Sequence, residues 1–169
     1  MKRLNSSFSI EQIKMINSKN KKYRLYYALM FKYYEMNNNF FEQIPKYSHN
    51  LVSVLMEKFN ISSKLTVPSN KPISIYKKEI RSYFQISVAT PSNEECIKNF
   101  ILQLLPSQNI FNIEFLKERV RLYLIDNKIE PISASYAERI IKSVIYNYEQ
   151  QLFASISNSL SYQTKAYLD

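Results

Sequence analysis

The side chains in this sequence best placed to do chemistry are cations with polar neighbours, and the chemistry is non-covalent. Arg139 and Lys142 follow Ser135 and Tyr136 at the opening of a periodic segment. Lys77, Lys78 and Arg81 crowd another segment, with Glu79 between them, and Lys21, Lys22 and Arg24 open a third. Lys117 and Arg121 alternate with Glu114 and Glu118 in a fourth. Lysine and arginine at such positions neutralise phosphates, which sets affinity and register. Arginine at a helix start also suits the guanine edge in a major groove. Ser135, Tyr136 and Arg139 are therefore the candidates for base reading; Lys77, Lys78, Arg81, Arg139 and Lys142 are expected to face a duplex, with Lys21, Lys22, Arg24, Lys117 and Arg121 supplying phosphate contacts.

Covalent and metal chemistry is poorly supplied. His49 is the only histidine, so a two-histidine metal site cannot form and a Ser-His-acid triad would depend on it alone. Its place after Ser48, in a first helical turn, predicts a surface position. Aspartate occurs only at Asp126 and Asp169, and the glutamates are scattered or sit beside lysine and arginine, which leaves a two-metal carboxylate site without ligands. Cys96 is the only cysteine, so there is no internal disulfide and no multi-cysteine zinc site; it adjoins an apolar face and is expected to be packed there. With Gly 0 in the composition, no glycine-rich phosphate loop, dinucleotide fingerprint or nucleophile elbow can be built. No catalytic residue, metal ligand or cofactor is expected.

Helices must position these cations. Apolar positions Ile113, Leu116, Val120, Tyr123 and Leu124 recur at helical spacing before a Pro131-containing turn, and Ile141, Val144, Ile145, Tyr148, Leu152, Ile156 and Leu160 recur after it. The second helix of this pair starts at a capping signal, either Ser135 with Glu138 in a capping box or Ser133. The pair reads as a helix-turn-helix with a basic opening to its second helix. A plain antiparallel helix pair would show the same periodicity.

Upstream, Ser9 and Gln12 fit a capping box for a first helix reaching about Ile16, with Phe8 and Ile13 as a hydrophobic staple. A second helix carries Leu25, Ala28, Leu29, Tyr33 and Met36 inward, Asn37-Asn38-Asn39 forms a loop, and Phe40-Phe41 packs back. Ser48 is the expected cap of a third helix with Leu51, Val52, Leu55 and Phe59 inward. A Pro-bearing connection from Val67 to Pro72 leads to a fourth, starting at Ser74, with Tyr76, Ile80, Tyr83 and Phe84 on one face. Thr90-Pro91 opens a fifth helix, with Ser92 and Glu95 as a box and Ile97, Phe100, Ile101, Leu104 and Leu105 inward, and Pro106 ends it. Asn112 caps the sixth. Met56 to Ser62 and Arg81 to Ser87 echo one another, each running aromatic, amide, Ile, Ser. That echo keeps a second helix-turn-helix-like unit in view around residues 48–86.

The expectation is an all-α chain of about seven helices with one or two helix-turn-helix-like units, as one domain over residues 1–169 or two lobes, 1–88 and 89–169. Its 46% apolar content supports a core. Lys and Arg outnumber Asp and Glu by 23 to 14, a net charge of +9, which points to a polyanionic partner; a lysine-rich codon bias would produce the same balance. The first residues lack the apolar run of a signal peptide and no window approaches the roughly 18 apolar residues of a membrane span, so a soluble cytoplasmic protein is expected.

Laid out in this order, the phrases resemble the N-terminal domain of the large replicative transposases of the Tn-three family. The resemblance is carried by Tyr23-Arg24-Leu25-Tyr26-Tyr27-Ala28-Leu29, by Tyr76-Lys77-Lys78-Glu79-Ile80-Arg81-Ser82-Tyr83-Phe84, and above all by Ile129-Glu130-Pro131-Ile132-Ser133-Ala134-Ser135-Tyr136-Ala137-Glu138-Arg139-Ile140-Ile141. Tyr148-Glu149-Gln150-Gln151-Leu152-Phe153 also looks like the family. A basic residue and then a glycine commonly stand where Arg24-Leu25-Tyr26 and Ser82-Tyr83-Phe84 fall, so other residues must close those turns here.

The resemblance implies a bacterial, nucleoid-associated protein whose N-terminal region recognises the terminal inverted repeats of a transposon. It implies a metal-binding Asp-Asp-Glu core of RNase H type further along the full-length relatives, beyond residue 169, making this chain an N-terminal fragment or a stand-alone remnant. The expected partners are double-stranded DNA at transposon ends and downstream transposase domains; a homodimer of the full-length protein is compatible with this. The resemblance carries over to Arg24, to Glu79 with Arg81, and to Glu138 with Arg139, each arginine either touching DNA or tying helices together. A helical protein-interaction module, or an RNA-binding helical domain using tyrosines to stack on bases, would fit the composition as well.

Overall fold

The computed structural model describes residues 7–41, 43–44, 49–62, 64–107 and 112–159, with the backbone alone described at 49–51. Among them the chain is all-α, with seven helices and two short 3-10 turns. The helices are α1 (Ile10–Asn17), α2 (Arg24–Asn37), α3 (His49–Lys58), α4 (Asn70–Phe84), α5 (Pro91–Leu104), α6 (Ile113–Asp126) and α7 (Ala134–Ser159). The chain divides into two compact units, Met1–Ser87 and Val88–Asp169. The expected cap Ser48, the side chains of His49 and Leu51, and Leu160 lie outside what is described.

The first unit is built around α2. Every residue from Leu25 to Lys32 is buried, so the helix is surrounded rather than two-faced, and Tyr26 and Tyr27 belong to the core with the residues expected inward. α1, α3 and α4 each pack against it. The Ser9–Gln12 capping box forms as the sequence predicts. Gln12 does a second job, donating to Glu35 at 3.1 Å, and Glu35 in turn pairs at 2.6 Å with Lys32, a lysine only 3% exposed. The Lys32 ammonium also lies 4.3 Å from the Phe8 ring centroid, so this buried cation is paired on both sides. Phe40 and Phe41 pack back as expected, against Tyr34 and Tyr26 respectively.

Two helix starts differ from expectation. α4 begins at Asn70, one turn before Ser74, with Pro72 inside its first turn. A proline there forfeits no intrahelical bond, because the first amides of a helix have no partner, so Pro72 does not delay the start. At α5 the box is Thr90 with Asn93 rather than Ser92 with Glu95: the Asn93 side-chain oxygen accepts the Thr90 amide at 2.7 Å, and Pro91 occupies the first helical position.

The echo between residues 56–62 and 81–87 has a structural cause. Without glycine, the helices α3, α4 and α6 close with Asn60, Gln85 and Lys128 in the left-handed region, at φ 49°, 56° and 58°. In each case the next residue is an isoleucine whose amide reaches back five residues, Ile61 to Met56, Ile86 to Arg81 and Ile129 to Leu124, at 2.8–2.9 Å. The isoleucine then packs on its own unit's core, which explains the amide-Ile pairing without invoking duplication. A side chain with a β-carbon is disfavoured in that region. Gln85→Gly should therefore raise the stability of the first unit by about 0.5–1 kcal/mol, the relief of strain exceeding the flexibility gained by the unfolded chain. A urea midpoint followed by circular dichroism reads this directly.

The second unit packs α5, α6 and α7 against one another around Ile97, Ile101, Leu105, Leu116, Val120, Leu124, Ile140, Ile141 and Val144. Phe100 on α5 stacks on Tyr123 of α6, with ring centroids 4.4 Å apart. Asn112 caps α6, accepting from the Phe115 amide at 3.0 Å. Cys96 is exposed, not packed. It precedes Ile97 by one position, about 100° around the helix, and so falls off the buried stripe.

Candidate nucleic-acid interface

α6 and α7, joined by residues 127–133, form the helix-turn-helix-like part of the second unit. That connection exceeds the three or four residues of a tight DNA-binding turn. The cap of α7 is Ser133: the Tyr136 amide donates to its Oγ at 3.3 Å. Ser135 lies within the first turn, exposed, and Glu138 does not reach back to close a box. Its carboxylate is drawn instead to Lys142 at 2.7 Å and across to Lys117 on α6 at 3.6 Å. Two cations competing for one carboxylate outweigh a neutral amide.

The predicted site residues of this unit therefore have distinct surroundings. Lys117 bridges Glu114 at 2.7 Å and Glu138, tying α6 to α7, and Arg121 forms a two-pronged pair with Glu118 at 2.8 Å. These two were expected on phosphates; their charges are largely met within the protein. Lys142 keeps a side chain 60% exposed despite its pairing. Arg139 is exposed, with its guanidinium 4.8 Å from the Tyr136 ring centroid. The neighbouring Glu138 is engaged by Lys117 and Lys142 instead. The Tyr136 hydroxyl and the Glu94 carboxylate also act on Arg139, and its guanidinium has five donors, so those not engaged there suit a planar acceptor such as guanine or phosphate.

Tyr136 holds this arrangement. Its hydroxyl donates to Glu94 at the start of α5, and Glu94 also accepts from Lys98 at 3.0 Å. The tyrosine ring thus forms a floor for Arg139, and the hydroxyl's one proton is committed to Glu94, leaving its oxygen as an acceptor only. Hydrogen bonding by Tyr136, then by Lys98, holds the Glu94 carboxyl below its ordinary range, and the same contact pushes the Tyr136 phenol up. Because the folded-state value is depressed, the stabilisation is present above the ordinary carboxylate range and is lost as pH falls through the folded value. In Tyr136→Phe, Glu94 should titrate closer to its ordinary range, which a carboxyl-carbon NMR titration would register. An unchanged Glu94 would mean that this hydrogen bond does not form.

In the first unit Lys77 and Arg81, one turn apart on α4, both lie over the Phe40 ring, at 5.2 and 5.3 Å from its centroid. Their stems are half-buried. Lys78 is exposed beside an open groove that Glu11 and Glu79 also line. Glu79 turns inward to Lys19 at 2.6 Å. The Lys19 ammonium lies 4.9 Å from the Tyr27 ring centroid, and burial together with the Glu79 carboxylate pushes the Tyr27 phenol well above its ordinary value. Lys21 and Lys22 are exposed on a 3-10 turn capped by Asn20. Arg24 serves the fold: its guanidinium donates to the carbonyls of Asn17 and Lys19 at 2.6 and 3.0 Å, closing the end of α1. A cation there satisfies orphan carbonyls and complements the helix dipole, which accounts for an arginine at this place without a phosphate.

Sequence reasoning missed the roles of Glu94 and Lys98, although their spacing of four is a standard helical pairing, and it missed Lys19 and Lys32 entirely. A long-range partner such as Glu79 leaves no local signal. Among the described residues no three of His, Cys, Asp and Glu gather closely enough to hold a metal ion, and no helix is long and apolar enough to cross a membrane. Neither protein-family models nor curated proteins gave a match to the sequence.

Proposed function

We propose that this chain binds double-stranded DNA at the terminal inverted repeats of a transposon, as the non-catalytic N-terminal part of a replicative transposase. The observation that carries the binding reading is the opening of α7, where Arg139 lies exposed on a tyrosine floor with Lys142 one turn on. Lys77, Lys78 and Arg81 supply a second basic site, and the net charge of +9 favours any encounter with a polyanion. Phosphate contacts from the lysines would set affinity, and Arg139 would contribute to sequence choice. The identity of the DNA rests on the likeness of residues 23–29, 76–84, 129–141 and 148–153 to the Tn-three family, and the strand-transfer chemistry would belong to downstream domains.

A labelled inverted-repeat duplex, competed with unlabelled repeat, scrambled duplex and single-stranded RNA, tests this. Competition by the repeat well ahead of the others supports the reading, whereas RNA as the best competitor overturns it.

A second reading is favoured by one specific feature. Leu152, Phe153 and Ile156, at 43, 66 and 55% exposure, continue α7 beyond the core of its unit. Periodicity predicts Leu152 and Ile156 inward, but both lie outside the buried cluster formed by the described residues of α5, α6 and α7. An apolar helix surface of this kind suits a helical protein partner.

A further inference from the structure

We infer that the row of outward side chains along α7, continuing from Arg139 through Ser143 and Tyr146 to Gln150, is a single base-reading stripe, with Gln150 specifying an adenine. This rests on the double-stranded DNA reading and assigns its sequence specificity to residues beyond the helix start.

The row follows from helix geometry. At 100° per residue, Ser135, Arg139, Lys142, Ser143, Tyr146 and Gln150 fall within an arc of about 100°, opposite the buried Ala137, Ile141 and Val144. All six except Lys142 and Arg139 are uncharged, and Ser143, Tyr146 and Gln150 are exposed. The side chains of these last three make no hydrogen bond among the described residues, so their donors and acceptors remain available. Tyr146 is 61% exposed in a chain whose other aromatic side chains mostly pack inside. Such a ring, unpartnered and between cations and amides, indicates a surface that meets something.

Charge argues for DNA as the occupant. Arg139 and Lys142 begin the row and attract phosphates, and the polar side chains beyond them are hydrogen-bonding types rather than the charge-paired glutamates of α6. Arg139 to Gln150 spans about 16 Å along the axis, the length of roughly five base pairs, and a helix of about 10–12 Å diameter fits a major groove about 12 Å wide. A glutamine side chain can accept from the N6 amino group of adenine through its oxygen while donating to N7 through its nitrogen, the pairing by which adenine is read in the major groove. The Tyr146 ring and hydroxyl suit a thymine methyl or a flanking phosphate.

The test starts by letting the intact chain select from random duplexes, then compares it with Gln150→Ala and Tyr146→Ala on the selected duplex, on single-base variants of it and on a scrambled duplex. Both sites are exposed, so the variants should fold, which circular dichroism checks. Gln150→Ala should lose roughly 5- to 150-fold on the selected duplex and almost nothing on the scrambled one. It should also become indifferent to replacement of one adenine that the unaltered chain requires. Unchanged discrimination by both variants overturns the stripe while leaving DNA binding intact. Equal binding of all duplexes by the unaltered chain also overturns it. Failure of the unaltered chain to bind any duplex overturns the DNA reading itself, and the stripe with it.

Discussion

Replacing Ile141 by alanine should cost the second unit about 2–5 kcal/mol. Ile141 is fully buried in the cluster where α7 meets α5 and α6. Truncation removes three side-chain carbons and leaves a cavity between helices that cannot close without losing their other contacts. Against the roughly 5–10 kcal/mol expected of a unit this size, the loss shifts the urea midpoint by a large fraction. Leu152→Ala, eleven residues along the same helix, should stay within about 0.5 kcal/mol, because its side chain is 43% exposed and outside that cluster. Equal costs at the two positions would mean that the core continues along α7 past Tyr148.

Arg139→Ala should weaken binding to the preferred duplex by about 1–3 kcal/mol and binding to a scrambled duplex by much less. The residue is exposed, and its contacts, with Tyr136 and with the Glu94 carboxylate, lie at the surface, so fold stability should change little. Lys78→Ala, by contrast, should weaken binding to every sequence alike and flatten the salt dependence by ~1, since an exposed lysine meets phosphate as a point charge. Arg24→Ala should affect α1 rather than DNA, its guanidinium being engaged by the Asn17 and Lys19 carbonyls. If Arg139→Ala behaved like Lys78→Ala, Arg139 would be a phosphate contact and the base reading would have to lie elsewhere.

The parts of the fold legible in the sequence were those governed by local rules. The Ser9–Gln12 box, the Asn112 cap and the apolar stripes of α5 and α6 depend on residues within one or two turns, and each forms. What resisted reading depended on distant partners or on length. Lys32 looks like a surface lysine until Glu35 and the Phe8 ring are brought to it. α2 looks two-faced until three helices close around it. The stripe of α7 looks buried to its end because periodicity reports that a helix is amphipathic without reporting where its cover stops. The same limit applies to the candidate interface. Cations were found by type and spacing, but whether a cation is engaged within the protein, as Arg24, Lys117 and Arg121 are, is decided by carbonyls and carboxylates that only the folded chain assembles.

The measurement that bears most directly on end recognition is a fluorescence-anisotropy titration of the chain against an inverted-repeat duplex and a scrambled duplex of equal length, repeated over a series of salt concentrations. If about six cations neutralise phosphates, log affinity should fall against log salt with a slope of about −5, and the preference for the repeat should survive at about 150 mM salt, where non-specific binding is weak. Equal affinity for both duplexes, falling steeply with salt until neither is bound, would contradict sequence recognition and leave only the attraction of a basic protein for a polyanion.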